Sequence, residues 1–212
     1  MDCCQIQGLE EVFSQPLVDK ELKRYRSKGP IKTTRLLIEA IEAEDVAGKT
    51  LLDIGGGVGA IQHALLRDGL LHATDVDASA AYLVATRSEA QRRGLADCIT
   101  YQHGNFVDLA EDIPPADIVT LDRVICCYND MERLVSLSAA RAKLRYGLVY
   151  PRNTWWLKAA MKIGNFFLRL QNSQYRMFLH PNAAVEAILE RNGLKKSFSS
   201  HTLIWQVVVY SH

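Results

Sequence analysis

Apolar positions recur along this chain at two different periods, and the change falls near residue 50. Before it the spacing is helical. Leu9, Val12 and Phe13 lie on one face up to Pro16, and Leu17, Val18, Leu22 and Tyr25 continue on a second segment. Gly29-Pro30 breaks the chain. Thr33 or Thr34 stands where a helix cap is expected, ahead of a third helix that carries Leu36, Leu37, Ala40 and Ile41 and ends near Gly48. From Thr50 onward, short apolar runs alternate with amphipathic stretches. The pattern predicts strands at 50–54, 70–74, 98–102, 116–121 and 147–150, with helices at 60–67, 78–93 and 130–145 between them.

Alternating strands and helices imply a parallel sheet covered on both faces and wound right-handedly. The C-terminal part departs from this rhythm. A helix over residues 155–170 has an apolar stripe of Trp156, Ala159, Ala160, Ile163, Phe166, Phe167 and Leu170, with Lys158, Lys162, Asn165 and Arg169 opposite. Ordinary core packing accounts for such a stripe as well as a binding role does. A further helix follows Pro181, and residues 194–199 and 203–210 read as a hairpin. The expected fold is α/β: a doubly wound, mostly parallel seven-stranded sheet with a C-terminal antiparallel hairpin and an N-terminal helical extension. Residues 1–48 are expected to form a helical cap and 49–212 the main domain, with 152–180 as a helical insertion.

Composition changes this picture little. An apolar fraction of 48% with 23% charged residues is that of an ordinary globular chain. A net charge of +1 argues against a nucleic-acid binder that works through a dense basic face. The cysteines Cys3, Cys4, Cys98, Cys126 and Cys127 are odd in number, and no zinc-type spacing occurs among them, so no metal site is expected. Neighbouring cysteines rarely pair with each other, which points to a reducing, cytoplasmic setting. Neither a signal peptide nor a membrane span is visible.

The chemistry concentrates in Leu51-Leu52-Asp53-Ile54-Gly55-Gly56-Gly57-Val58-Gly59-Ala60, an apolar strand that runs through four glycines into a helix. Glycines let a ligand lie against the backbone, and the N–H groups at a helix start suit an electron-rich partner. Alone, this loop also satisfies the dinucleotide fingerprint, with Asp75 and Asp77 placed to receive a ribose. A nicotinamide-dependent oxidoreductase therefore stays open at this point.

Asp53 two residues before the first glycine, His103-Gly104-Asn105-Phe106-Val107-Asp108 after the third strand, and Asp117-Ile118-Val119 leading to Asp122-Arg123 complete an ordered set. With the closing hairpin, residues 50–212 resemble the class I (Rossmann-like) S-adenosylmethionine-dependent methyltransferases. The resemblance implies S-adenosyl-L-methionine as cofactor. Gly55, Gly57 and Gly59 would pass under its methionine part and Asp53 would sit near its ammonium. Asp77, with Asp75 as rival, would take the ribose. Asn105 would meet the adenine amine, Phe106 would flank the ring, and Asp122 would line the methionine end.

The acceptor is expected beyond the carboxyl ends of the strands. Tyr128 and His180 are the candidate catalytic groups there, and Arg123, Cys127, Arg152 and Trp156 the candidate substrate contacts. The N-terminal helices and the 155–179 segment are the expected pocket walls, for a small-molecule acceptor of apolar or planar character. Asp122-Arg123 and Tyr150-Pro151-Arg152 resemble tetrapyrrole O-methyltransferases without setting the acceptor. A catalytically silent methyltransferase-like module that binds a partner through the aromatic helix, and an arsenite or thiol methyltransferase, are the remaining alternatives.

Overall fold

The computed structural model describes residue 8 and residues 12–212. Cys3, Cys4 and Leu9 lie outside these residues. Its elements follow in order: α1 (Gln15–Lys28), α2 (Lys32–Glu42), β1 (Thr50–Ile54), α3 (Ala60–Arg67), β2 (His72–Asp77), α4 (Ala80–Arg93), β3 (Ile99–His103), α5 (Phe106–Leu109), β4 (Ala116–Asp122), α6 (Met131–Ala139), β5 (Ala142–Pro151), α7 (Trp155–Leu170), α8 (Asn182–Arg191), β6 (Lys195–His201) and β7 (Trp205–Ser211). The seven strands form one sheet in the order β3-β2-β1-β4-β5-β7-β6. The first five run parallel, while β7 is antiparallel to both β5 and β6. This is the doubly wound arrangement expected from the alternating pattern, hairpin included.

Successive strand residues point to opposite faces, and this sorts the apolar residues into two cores. Leu52, Val119, Leu148 and Val208 face α6 and α8, whose Leu134, Val135, Ile188 and Leu189 cover them. Leu51, Ile118, Val149, Val207 and Val209 face α2 and α3 through Leu37, Ile38, Ile41, Ile61 and Leu65. The N-terminal helix α2 is thus part of the main core. It lies so close to β5 that a Cβ on Gly147 would come within 2.8 Å of Leu37 Cδ1.

Four local expectations need correction. Ile31, not a threonine, precedes α2; Thr33 and Thr34 are buried inside its first turn. β2 begins two residues later than expected and extends to Asp77. The helix expected to reach Arg145 ends at Ala139, and β5 starts at Ala142. There the buried Arg145 donates to the carbonyls of Ile41, Glu44 and Asp45, which satisfies the open end of α2. Finally, the stripe of α7 is not core: Leu157 is buried, whereas Ile163, Phe166, Phe167 and Leu170 are exposed.

Candidate active site

The carboxyl ends of β1, β2, β3 and β4 converge on one cavity of about 230 Å³. Its floor is the loop after β1, where four glycines do different work. Gly57 has φ +58°, and a Cβ there would meet nothing nearer than Tyr82 Cε1 at 3.9 Å. Its open side is the cavity, so this residue is glycine for its backbone and for a ligand's approach. A Cβ at Gly55 would strike Val124 at 2.6 Å, one at Gly56 would strike Gln62 at 2.3 Å, and one at Gly59 would strike Thr86 at 2.3 Å. At those three, neighbouring side chains already fill the space, and Gly55 and Gly59 also hold positive φ of +67° and +77°. Gly59 does not line the cavity; Gly55, Gly56 and Gly57 do.

Parallel register places Asp53 beside Asp75 on one side and Thr120 on the other. Asp53 lines the cavity and accepts from Thr120 Oγ1 at 2.6 Å and Gln62 Nε2 at 3.1 Å. Burial nevertheless pushes its pKa up to about 6, against the pull of these two donors. Asp77 accepts from Ser79 N at 2.8 Å and Gly57 N at 3.3 Å, which ties the end of β2 to the glycine loop. Burial raises it to about 6 as well. Asp75 is fully buried and stands outside the cavity. Burial first, then the charges of Asp53 and Asp77, holds its carboxyl well above the usual range.

Asn105 begins α5 and lines the far wall. Its amide oxygen accepts from Val107 N at 3.3 Å and from the Tyr128 hydroxyl at 3.1 Å, while its amide donates to Asp108 at 2.7 Å. Phe106 lies beside it, buried and in contact with the cavity. Across the opening, Asp122 ends β4, receives the Thr34 hydroxyl, and pairs with Arg123 Nε at 3.2 Å. Arg123 adopts φ +62°, a backbone state costly for a residue with a side chain. It turns the chain from β4 back over the loop, where Val124 packs on Gly55.

The candidate acceptor residues divide. Arg123, Cys127 and Tyr128 line the cavity; His180, Arg152 and Trp156 do not. Cys127 Sγ shares a hydrogen bond of 3.1 Å with Tyr175 Oη. Its thiol pKa is lowered by the neighbouring Cys126 sulfhydryl first, and by Tyr175 after that. His180 Nε2–H is directed at the carbonyls of Ile125 and Tyr128, both at 2.9 Å, and burial lowers its pKa. This ring holds the 125–128 turn in place. The Arg152 guanidinium donates to Thr202 O at 3.3 Å in the hairpin turn.

Several lining residues carried no sequence signal as site residues: Phe13, Glu21, Arg24, Thr34 and Tyr82. Tyr82 stands in the first turn of α4, donates to Glu21 Oε2 at 2.7 Å, and packs on Phe13 with 5.6 Å between ring centroids. It thereby fastens α1 across the opening. A second fastening is the buried Glu89 of α4, which holds Arg26 of α1 at 2.8 Å together with Arg92 and Arg93. The three arginines draw its carboxyl far below the usual range against the effect of burial. Pairing Tyr82 or Thr34 with these partners requires contacts 61 to 88 residues apart, which local pattern does not encode.

Residues 52–142 match the family model described as a methyltransferase domain. A ribosomal protein L11 methyltransferase of Sodalis glossinidius is 36% identical over 72 residues, 34% of this chain and 25% of its own length. That of Alteromonas mediterranea is 31% identical over 121 residues, 54% of this chain and 41% of its own. The chain therefore spans less than half the length of these curated relatives. Magnesium protoporphyrin IX methyltransferase of Synechocystis PCC 6803, solved with bound SAH (S-adenosylhomocysteine), superposes with a TM-score of 0.77 over 98% of this chain and 99% of that one, at 19% identity. Of the two readings open for the glycine loop, the domain match selects the methyl-donor one. Residues 52–142 match a methyltransferase domain, and the described chain shares its fold with that SAH-bound methyltransferase.

Proposed function

We propose that the chain transfers the methyl group of S-adenosylmethionine to a small-molecule acceptor held between the strand ends and the N-terminal helices. The observation that carries this reading is the continuity of the cavity. It joins the glycine loop, Asp77, Asn105 and Phe106 to Phe13, Glu21 and Arg24 without an intervening wall. The floor suits a cationic ligand: Asp53, Asp77 and Asp122 line it, and Arg123 pairs with Asp122. Bound there, the cofactor would supply an already activated methyl group.

Gly57 and Gly55 form the bed, Asp53 and Asp122 face the cationic end, and Asp77 rather than Asp75 receives the ribose. Phe106 flanks the adenine. Asn105 shapes its edge, since its amide oxygen already accepts two hydrogen bonds. Tyr128 and His180 act as positioning residues for the wall rather than as bases.

On the acceptor side, Phe13, Ile31, Tyr82 and Val124 offer apolar surface, and Arg24 and Arg123 suit an acidic substituent. Alignment of the acceptor with the methyl group supplies much of the rate in such an in-line displacement. The Glu21 carboxylate, bonded to Tyr82, is the group best placed to accept a proton if the acceptor must lose one. Helix α1 acts as the lid of this pocket in our reading. The free thiols Cys98, Cys126 and Cys127 support a reducing, cytoplasmic setting.

The name of the curated relatives raises a protein acceptor as the second reading. The closure of the opening by α1, through Tyr82–Glu21 and Glu89–Arg26, favours a small one. Incubation with methyl-labelled donor distinguishes them. Label in small-molecule products from a metabolite panel is expected. Label confined to a protein fraction would overturn the small-molecule reading, and calorimetry showing affinity for NAD but none for S-adenosylhomocysteine would overturn the cofactor.

A further inference from the structure

Helix α7 presents three faces. At about 100° per residue, Leu157, Met161, Gly164 and Leu168 fall in one sector of about 60°. That side packs inward: Leu157 is buried, a Cβ on Gly164 would meet Met177 Cε at 2.8 Å, and Asn165 exchanges two hydrogen bonds with the Met177 backbone, at 2.8 and 2.9 Å. Trp155, Ala159, Ile163, Phe166, Phe167 and Leu170 occupy the opposite side over about 120°. They are exposed, Trp155 to 81%. Lys158, Lys162 and Arg169 share a third sector of about 40° along the edge of this apolar face.

Two further features extend the patch. Leu203, exposed to 74%, and Ile204 sit in the turn between β6 and β7. Arg152, just ahead of α7, holds that turn through its backbone N–H to Ile204 O at 2.8 Å and its guanidinium to Thr202 O. The turn's apolar residues therefore stand at the Trp155 end of the helix. The second feature is charge. Between Arg152 and His180 the chain carries five lysines and arginines and no aspartate or glutamate, although the whole chain is nearly balanced at +1.

We propose that α7 and the β6–β7 turn form an interfacial surface that lies on an anionic lipid bilayer, with the aromatic face in the acyl boundary and the basic edge among the headgroups. An exposed apolar face of this extent would need a covering partner in water. The charge pattern says which one: a face rimmed by cations with no carboxylate along the segment is complementary to an anionic headgroup layer, and tryptophan and phenylalanine suit its boundary with the acyl chains. The helix is too short to span a bilayer, and among the described residues no helix is long and apolar enough to cross one. Docking in this way sets the carboxyl end of β5, and the neighbouring cavity, toward the membrane. Tyr175 links the two regions by its bond to Cys127.

Sedimentation of the full chain with vesicles tests this. Vesicles of phosphatidylcholine with about a quarter phosphatidylglycerol are expected to retain at least about tenfold more protein than phosphatidylcholine alone, and to release it as salt rises toward about 0.5 M. The double variant Phe166→Ser, Phe167→Ser and the double variant Lys158→Glu, Lys162→Glu should each lose retention while keeping S-adenosylhomocysteine affinity, the check that they fold. Trp155→Ser, at the most exposed position, carries the same expectation with less risk to folding. Absence of retention on either vesicle, or retention unchanged in all three variants, would overturn the proposal. So would light scattering that finds a dimer which Phe166→Ser, Phe167→Ser splits, since the face would then belong to a second copy of this chain.

Discussion

The glycine-loop end of the sheet and the outer face of α7 break opposite rules of folding, only a few strands apart. Around the loop, carboxyls that prefer water are buried: Asp53, Asp75 and Asp77 are all nearly closed off, and burial drives each pKa upward. On α7, aromatic side chains that prefer burial are left in water. Each arrangement lowers the stability of the isolated chain. Neither is forced by composition, because the rest of the molecule sorts its apolar residues into two well-filled cores. The pair teaches that these two places are finished by another molecule, and that the kind of violation names its chemistry. Buried carboxylates await cations, and exposed aromatics await an apolar medium.

Breaking the loop side should give the largest effect. Gly57→Val places a β-branched side chain at φ +58° and fills the bed of the cavity, so S-adenosylhomocysteine affinity should fall by more than about a hundredfold. The strain of roughly 1–2 kcal/mol leaves a folded domain, and calorimetry with a thermal melt checks both halves. On α7 the contrast is between faces. Leu157→Ala should cost about 2–5 kcal/mol of folding free energy, and Phe167→Ala about 0.5 kcal/mol or less, read by denaturant titration. Equal losses would mean that the aromatic face is packed after all.

Within the acidic row the two rivals separate next. Asp77→Ala removes a carboxylate that lines the cavity and should weaken S-adenosylhomocysteine binding about ten- to a hundredfold. Asp75→Ala, off the cavity, should leave affinity within about threefold. A larger loss from Asp75 would shift the ribose assignment. The same carboxyls also predict an effect of pH. Asp53 and Asp77 hold their protons to about 6 in the free chain, and a cationic ligand with ribose hydroxyls prefers the ionised forms. Binding should then release protons, and affinity should rise by up to about tenfold for each group from pH 5 to pH 7. Calorimetry in buffers of different ionisation enthalpy reads the released protons, and affinity that falls over this range would reverse the assignment.

The parts legible in the sequence are those whose cause is local. β1, its glycine loop and α3 have the bounds that the pattern predicts because strand, turn and helix signals lie within eighteen residues of each other. The apolar pattern places β2 too early because Leu70 and Leu71 look like a strand. Leu70 in fact packs under α3, while the true strand ends in Asp75-Val76-Asp77, whose buried carboxyls defeat an apolar rule. The start of β5 was hidden because Arg145 is buried for the sake of carbonyls about a hundred residues away. In the site, contiguous motifs point to residues most of which line the cavity, Gly59 and Asp75 excepted, whereas Glu21, Thr34 and Tyr82 join it only by tertiary packing. Helical periodicity found the stripe of α7 but contains nothing about what faces it.

The unequal crowding of the four loop glycines bears on how an inactive control protein should be designed. Mutating the motif wholesale would confuse two failures, because an added methyl at Gly56 or Gly59 would be forced into Gln62 and Asp75 or into Thr86 and His63, all buried. Such a protein would lose activity by misfolding and report nothing about the cofactor. Gly57 alone of the four opens onto free space, so a side chain there can empty the site of ligand and leave the scaffold intact. A knock-out built on this residue keeps every surface of the molecule, α7 included, available for whatever else the chain does in the cell.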